Sequence, residues 1–167
     1  MKYAGTLIAV KDMEISKRFY HDVLGLDVTA DFGANVMLDG GLFLQTLDSW
    51  KQFIRTDHVI LRNNAGELYF EEEDIDAFSE HLKSFEINYV HELLEHPWGQ
   101  RVVRFHDPDG HIIEIGEMSK AVVERFHQSG MTIEEIAERM DVPVEYVRSI
   151  YDIMIVKDVD GSEGKGG

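Results

Sequence analysis

The chain has 167 residues, 44% hydrophobic and 10% aromatic, which is enough for one folded domain with a substantial core. Its 32 acidic residues against 16 basic ones leave a formal charge of −16, a field that repels phosphate backbones and anionic membranes, so neither nucleic acid nor membrane is an expected partner. Having no cysteine excludes disulfides, thiolate metal sites and a cysteine nucleophile. Without a signal-like start or an apolar run of membrane-spanning length, the expected location is the cytoplasm.

Residues 3–10 form a β-rich run. Asp12 then caps a helix with Met13, Ile15, Phe19, Tyr20, Val23 and Leu24 on its apolar stripe, closed by Gly25. Strands at 26–30, 34–38 and 42–47 are separated by Asp31-Phe32-Gly33 and Asp39-Gly40-Gly41, turn sequences that suit an antiparallel meander. Residues 48–54 read as a short helix or a flap carrying Trp50 and Phe53, and 55–66 as a polar connector.

The pattern then starts again. A strand at 67–72 leads to Asp74, which caps a helix with Ile75, Phe78, Leu82 and Phe85 on its apolar stripe. A strand at 87–91, a loop at 92–100 and a strand at 101–106 follow; Asp107-Pro108-Asp109-Gly110 turns tightly into a last strand at 112–115. Val10-Lys11-Asp12-Met13-Glu14 matches Glu72-Glu73-Asp74-Ile75-Asp76, and Gly41-Leu42-Phe43-Leu44-Gln45 lies against Gly110-His111-Ile112-Ile113-Glu114. The expected fold is therefore α+β: two tandem βαβββ modules, residues 1–56 and 57–117, whose curved mixed sheet surrounds a cleft.

Alternation along the strands selects the candidate site residues. Glu114 shares a face with Ile112, and an inward carboxylate needs a partner, a metal or water. If Glu67 faces inward, so do Tyr69 and Glu71. A hairpin closing symmetrically about residues 107–110 sets Val103 opposite Glu114, with Arg101 one step along the same face. Arg101 then either pairs with Glu114 or holds a ligand carboxylate or phosphate while Glu114 or Glu67 acts as general base. Trp50, Phe53, Tyr69 and Trp98 are either core residues or aromatic walls for a small organic ligand.

Other polar residues call for less. The acidic run from Glu71 to Asp74 is accounted for by solvation and the dipole of the helix that follows it. His58 falls in the connector, His91 and His96 at the edge of and within the loop that leads to the later strands, and His106 with His111 reads as a cross-strand pair at the sheet edge; no histidine is carried forward as a ligand.

Taken in order, Val10-Lys11-Asp12-Met13-Glu14, Phe19-Tyr20, Val23-Leu24-Gly25-Leu26, Trp98-Gly99-Gln100-Arg101 and Asp107-Pro108-Asp109-Gly110 with Glu114 resemble the glyoxalase, bleomycin-resistance and dioxygenase families of the vicinal oxygen chelate superfamily. The resemblance spans residues 3–117 and implies paired βαβββ modules around a ligand cleft, usually in a homodimer. It also implies four metal-ligand positions, which fall on Gly5, Gln45, Glu67 and Glu114. Metal-dependent relatives usually hold histidine or glutamate at three or four of these, so this chain departs from the pattern. An all-oxygen set of Gln45, Glu67 and Glu114 would suit Mg²⁺, Mn²⁺ or Ca²⁺.

Two function classes follow. One is a metal-independent module, with no cofactor, that binds a small organic ligand in the inter-module cleft through Gln45, Trp50, Tyr69, Trp98 and Arg101. The other is a lyase, isomerase or dioxygenase-like enzyme with a divalent metal at Glu67 and Glu114, the same carboxylates serving catalysis. Relatives can complete such a site across a dimer, so Gly5 alone does not exclude it.

Residues 118–157 read as an extension of three helices at 119–128, 133–140 and 144–154, with a Thr132/Glu135 capping box and entry to the third through Pro143. The arrangement resembles a helix-turn-helix. Arg148 is the only basic residue of the third helix beside Glu145 and Asp152, which favours docking or dimer support over DNA, while ligand sensing through these helices is a further reading. Val122, Phe126, Ile136, Met140, Val147 and Ile150 need a surface to bury against. Residues 158–167 are expected to be a flexible tail.

Overall fold

The structure is a computed structural model and describes residues 1–162. Its first half runs β1 (Thr6–Val10), α1 (Met13–Leu24), β2 (Val28–Asp31), β3 (Asn35–Leu38) and β4 (Leu42–Thr46). Asp12 caps α1 by accepting from the Ile15 amide at 3.0 Å, and Gly25 ends it at φ 67°, a left-handed conformation that costs glycine little. Ser16, Tyr20 and Val23 form its buried stripe, while Ile15 is turned outward. The sheet order is β1-β4-β3-β2, with β1 parallel to β4 and Asn35 of β3 opposite Gln45 of β4. Residues 47–54 resolve as a helix, α2 (Leu47–Ile54), and not a flap.

The second half repeats this plan as β5 (Glu67–Glu72), α3 (Ile75–Leu82), β6 (Asn88–Glu95), β7 (Arg101–His106) and β8 (Ile112–Glu117), with sheet order β5-β8-β7-β6. The matching orders bear out tandem βαβββ modules and an α+β fold. Strand β6 runs further than expected: the alternation of burial continues through Leu93, so residues 92–95 are strand and not loop. Three helices close the chain, α4 (Ser119–Gln128), α5 (Ile133–Met140) and α6 (Val144–Ser162).

By internal contacts the chain divides into two compact units. The first comprises Met1–Leu68, Glu80–Val90 and Arg104–Ile113. Val10, Tyr20, Val36, Leu44, Leu82, Phe105 and Ile113 are among its buried side chains. Its 107–110 turn is built around one carboxylate: Asp107 Oδ1 accepts from the amides of Asp109, Gly110 and His111 at 2.9, 2.8 and 2.8 Å, and Oδ2 accepts from the Tyr20 hydroxyl at 2.9 Å. Asp109 Oδ2 accepts from the Lys11 amide at 3.0 Å, and His111 Nε2 lies 2.9 Å from the Ala9 carbonyl. His106 meets the Asn88 carbonyl at 3.3 Å, so the two histidines expected to pair each find a separate backbone oxygen.

The second unit comprises Tyr69–Ser79, His91–Val103 and the chain from Glu114 onward. The apolar residues of the extension bury against one another: Val122, Val123, Phe126, Ile136, Ala137 and Val147 make a cluster that Met140 and Ile150 flank. The Thr132/Glu135 capping box forms at 3.2 and 2.8 Å. Helix α6 takes in residues 158–162 of the expected tail, and 163–167 lie outside the described residues. Among the described residues no helix is long and apolar enough to cross a membrane.

Candidate functional site

Of the four positions matching metal ligands, Gly5 is closed to any side chain. Its φ is 149°, and a Cβ there would lie 2.0 Å from the Gly41 carbonyl oxygen and 2.7 Å from the Phe43 ring. Gly5→Ala is therefore expected to lose about 2 kcal/mol in urea unfolding, a typical overpacking cost, and wild-type stability in that variant would contradict this packing.

Gln45 is 3% exposed and held by its neighbours: Oε1 accepts from Asn35 Nδ2 at 2.8 Å, and Nε2 donates to the Ser49 hydroxyl. Its amide joins β3, β4 and the first turn of α2. Glu67 accepts from Arg104 Nε at 2.9 Å and borders a cavity of about 220 Å³ with Thr6, Ile8 and His111. Glu114 is 5% exposed on β8. Gly116 shares its face, and a Cβ on Gly116 would meet Gln100 Nε2 at 2.9 Å and the Tyr69 ring at 3.0 Å, so Glu114 belongs to the face that carries Tyr69 and Gln100. Among the described residues, no three His, Asp or Glu side chains gather into a metal-binding group.

Arg101 does not take Glu114 as its partner. Its Nη2 donates to Glu117 Oε1 at 2.7 Å, its backbone amide to Glu117 Oε2 at 3.3 Å, and its Nη1 to both oxygens of Asp76 at 2.9 Å. The turn closes with the Asp107 amide on the His111 carbonyl, one residue off the symmetric closure read from the sequence, and a one-residue slip exchanges the two faces of a strand. Glu117, 1% exposed, also receives Arg125 Nη2 at 2.8 Å and Nε at 3.1 Å. Burial pushes its carboxyl up, yet the hydrogen bonds from Arg125 and Arg101 outweigh that and hold it below the ordinary range.

The second unit contains a cavity of about 470 Å³. Tyr69, Glu71, Trp98 and Gln100 form its sheet side, and Val122, Met140, Pro143 and Tyr146 its helical side. Gln100 Nε2 donates to the Tyr69 hydroxyl at 3.2 Å and to the Glu117 carbonyl at 3.1 Å, and the Tyr69 hydroxyl donates to Glu71 Oε1 at 3.2 Å. Trp98 stacks on His96 with ring centroids 4.2 Å apart. Burial first, then the charge of Glu71 against the opposing hydrogen bond from Gln100, push the Tyr69 phenol above its ordinary value, so it is neutral at physiological pH.

Of the candidate aromatics, Tyr69 and Trp98 border this one cavity. Trp50 and Gln45 lie in the first unit, and Arg101 engages Glu117 and Asp76 on the other face of its strand. Met140, Val142, Pro143 and Tyr146 were not anticipated as lining residues. The apolar stripe of α6 points to Val147 and Ile150 and gives no reason to single out Tyr146. The nearest signal was Pro143, which fixes where that helix begins.

Residues 3–120 match the glyoxalase-like domain family, and residues 116–153 match sigma-70, region 4. No curated protein matches the chain. A crystal structure of a protein of unknown function from Agrobacterium tumefaciens is 36% identical with a TM-score of 0.65, covering 71% of this chain and 94% of its own. A glyoxalase-related enzyme from Fulvimarina pelagi is 21% identical with a TM-score of 0.60, over 70% of this chain and 88% of its own. A lactoylglutathione lyase from Agrobacterium tumefaciens is 24% identical with a TM-score of 0.54, over 70% and 92%. The last two show likeness of fold.

Proposed function

Because the chain belongs to the glyoxalase-like family, within the vicinal oxygen chelate superfamily, we propose that it binds a small organic molecule without the metal its enzymatic relatives use. The observation that carries this reading is the 470 Å³ cavity walled by Tyr69, Trp98 and Tyr146, a size and an aromatic lining suited to a small ligand. Three further observations support leaving the metal out. Gly5 has neither a donor nor room for one, the Gln45 amide is bonded to Asn35 and Ser49, and Glu67 is bound to Arg104. Held in this way, these residues do not suit a divalent ion.

The cavity also gives the helical extension a role. Helices α4 to α6 supply one side of it, and no nucleic acid is needed to explain them: α5 carries Glu134, Glu135 and Glu138 against Arg139 alone. We place the protein in the cytoplasm as a homodimer, the assembly its family leads us to expect.

The second reading, a lyase, isomerase or dioxygenase-like enzyme using Glu67 and Glu114, draws its support from the burial of Glu114 at a matching ligand position. One experiment separates the two. A thermal-shift screen of small aromatic compounds on chelator-treated protein is expected to give hits that raise stability by about 2.7 kcal/mol at a hundredfold excess over Kd, and to lose them in Tyr146→Ala. Stoichiometric metal in untreated protein, lost in Glu114→Gln, would replace this reading with the enzymatic one.

A further inference from the structure

The charge of the cavity in the second unit is one-sided. Tyr69, Trp98 and Tyr146 present rings that are 49%, 43% and 43% exposed, and among the described lining residues Glu71 is the only acid and there is no lysine or arginine. Among the described side chains, arginines and lysines on the elements that build the walls are engaged with acids outside the lining, Arg139 with Glu95 and Arg148 with Glu134 among them. Lys120 Nζ lies 2.8 Å from Glu73, Arg101 binds Glu117 and Asp76, and Arg125 binds Glu117 and Glu95.

A ligand entering this cavity meets three aromatic rings, whose π faces attract positive charge, and a carboxylate held in place by the Tyr69 hydroxyl. An anion would give up its hydration beside Glu71 and find only uncharged donors to compensate, such as the Ser119 and Tyr146 hydroxyls and the Trp98 indole N–H, among the described lining residues. A bare divalent ion needs about six oxygen ligands, and one carboxylate with one amide is too few. A positive charge on an apolar body fits both halves of the lining. The charge lies beside Glu71 and over the rings, and the body packs against Met140, Val142 and Pro143. The net charge of −16 adds to this by concentrating cations near the surface.

We propose that the cavity is a binding site for an organic cation, an aromatic or alkyl amine or quaternary ammonium compound, with its charge beside Glu71 and its apolar part between the sheet-side aromatics and helices α5 and α6. The proposal rests on the reading above that this cavity takes a small molecule, and adds the sign of the charge. Because α4 to α6 build one wall, the site requires the extension that follows the glyoxalase-like domain.

The test uses three probes of one size on the full chain: phenethylamine, phenethyl alcohol and phenylacetate, titrated at neutral pH and followed by protein NMR shifts of the cavity residues. The amine, protonated at that pH, is expected to bind about tenfold tighter than the alcohol, with phenylacetate the weakest. Glu71→Gln, at a surface position where folding is not at stake, is expected to remove the advantage of the amine and leave the alcohol unchanged; Tyr146→Ala is expected to weaken both. If the alcohol or phenylacetate binds as tightly as the amine, or if Glu71→Gln leaves the preference intact, the inferred charge is overturned while the cavity keeps its ligand-binding role. If none of the three shifts the cavity signals, the ligand-binding reading itself is overturned.

Discussion

Asp107→Ala is expected to lower the unfolding free energy by about 4 kcal/mol, at the upper end for a single substitution, because it removes an acceptor shared by four donors, of which the Gly110 amide keeps the Asp107 carbonyl at 3.0 Å. In the wild type a side chain that is 4% exposed accepts from the Asp109, Gly110 and His111 amides and from the Tyr20 hydroxyl. Alanine leaves those groups in a turn that is itself largely buried, where water replaces the lost partners poorly. A thermal shift of about 10 °C is the corresponding readout. Asp107→Asn keeps one oxygen for the amides and is expected to be milder, whereas an alanine variant as stable as wild type would show that Pro108 and Gly110 make the turn unaided.

Tyr20 adds a pH signature to the same cluster. Burial first, then the charge of Asp107 and the hydrogen bond to it, push the Tyr20 phenol well above its ordinary 10.0. A phenol kept neutral in the fold contributes in full below that ordinary value and loses its contribution as the pH rises toward the folded one. Wild type is therefore expected to lose stability above about pH 10 more steeply than Tyr20→Phe, which has no phenol to ionise.

This cluster shows how the sequence was legible at some levels and not at others. Pro108 and Gly110 announced a turn, and a run of alternating residues on either side announced strands, because both signals are local. That Asp107 is bound to a tyrosine of α1 is a contact across most of the chain and has no local signature. The same limit displaced the partner of Arg101. Register depends on which backbone pair closes the hairpin, and one residue moved Arg101 from the face of Glu114 to that of Glu117.

Duplication was readable from the capping aspartates Asp12 and Asp74 because each module needs the same helix start. Tyr69 and Trp98 could be picked out as candidates, but the wall facing them comes from Met140 and Tyr146 on α5 and α6 and from Pro143 between them, and no periodicity fixes the placement of these helices. Strand β6 was shortened on the sequence because Glu92 looked like the start of a loop, although a half-solvated strand accommodates a charge on its outer face.

Glu117→Gln is expected to cost about 3 kcal/mol, the lower end of the range for breaking a buried ion pair, because it removes the charge shared by two guanidinium groups. Arg101 and Arg125 are 21% and 29% exposed and keep Asp76 and Glu95 as second partners, which moderates the loss. The pair also fixes position: Arg125 is on α4, its Nη2 donates to the Gly99 carbonyl at 2.6 Å, and Gly99 sits between Trp98 and Gln100 at the cavity. The variant should therefore loosen the helical wall as well as lower global stability.

The pH dependence identifies the cause. A carboxyl held below its ordinary value of 4.5 contributes fully above that pH and loses its contribution as the pH falls through the folded value. The stability gap between wild type and Glu117→Gln should accordingly be constant near neutrality and narrow steadily below about pH 4.5, as denaturant midpoints measured across that range would show. A gap that persisted undiminished in acid would assign the role of Glu117 to shape and not to charge, and the two arginines would then need another reason to converge on it.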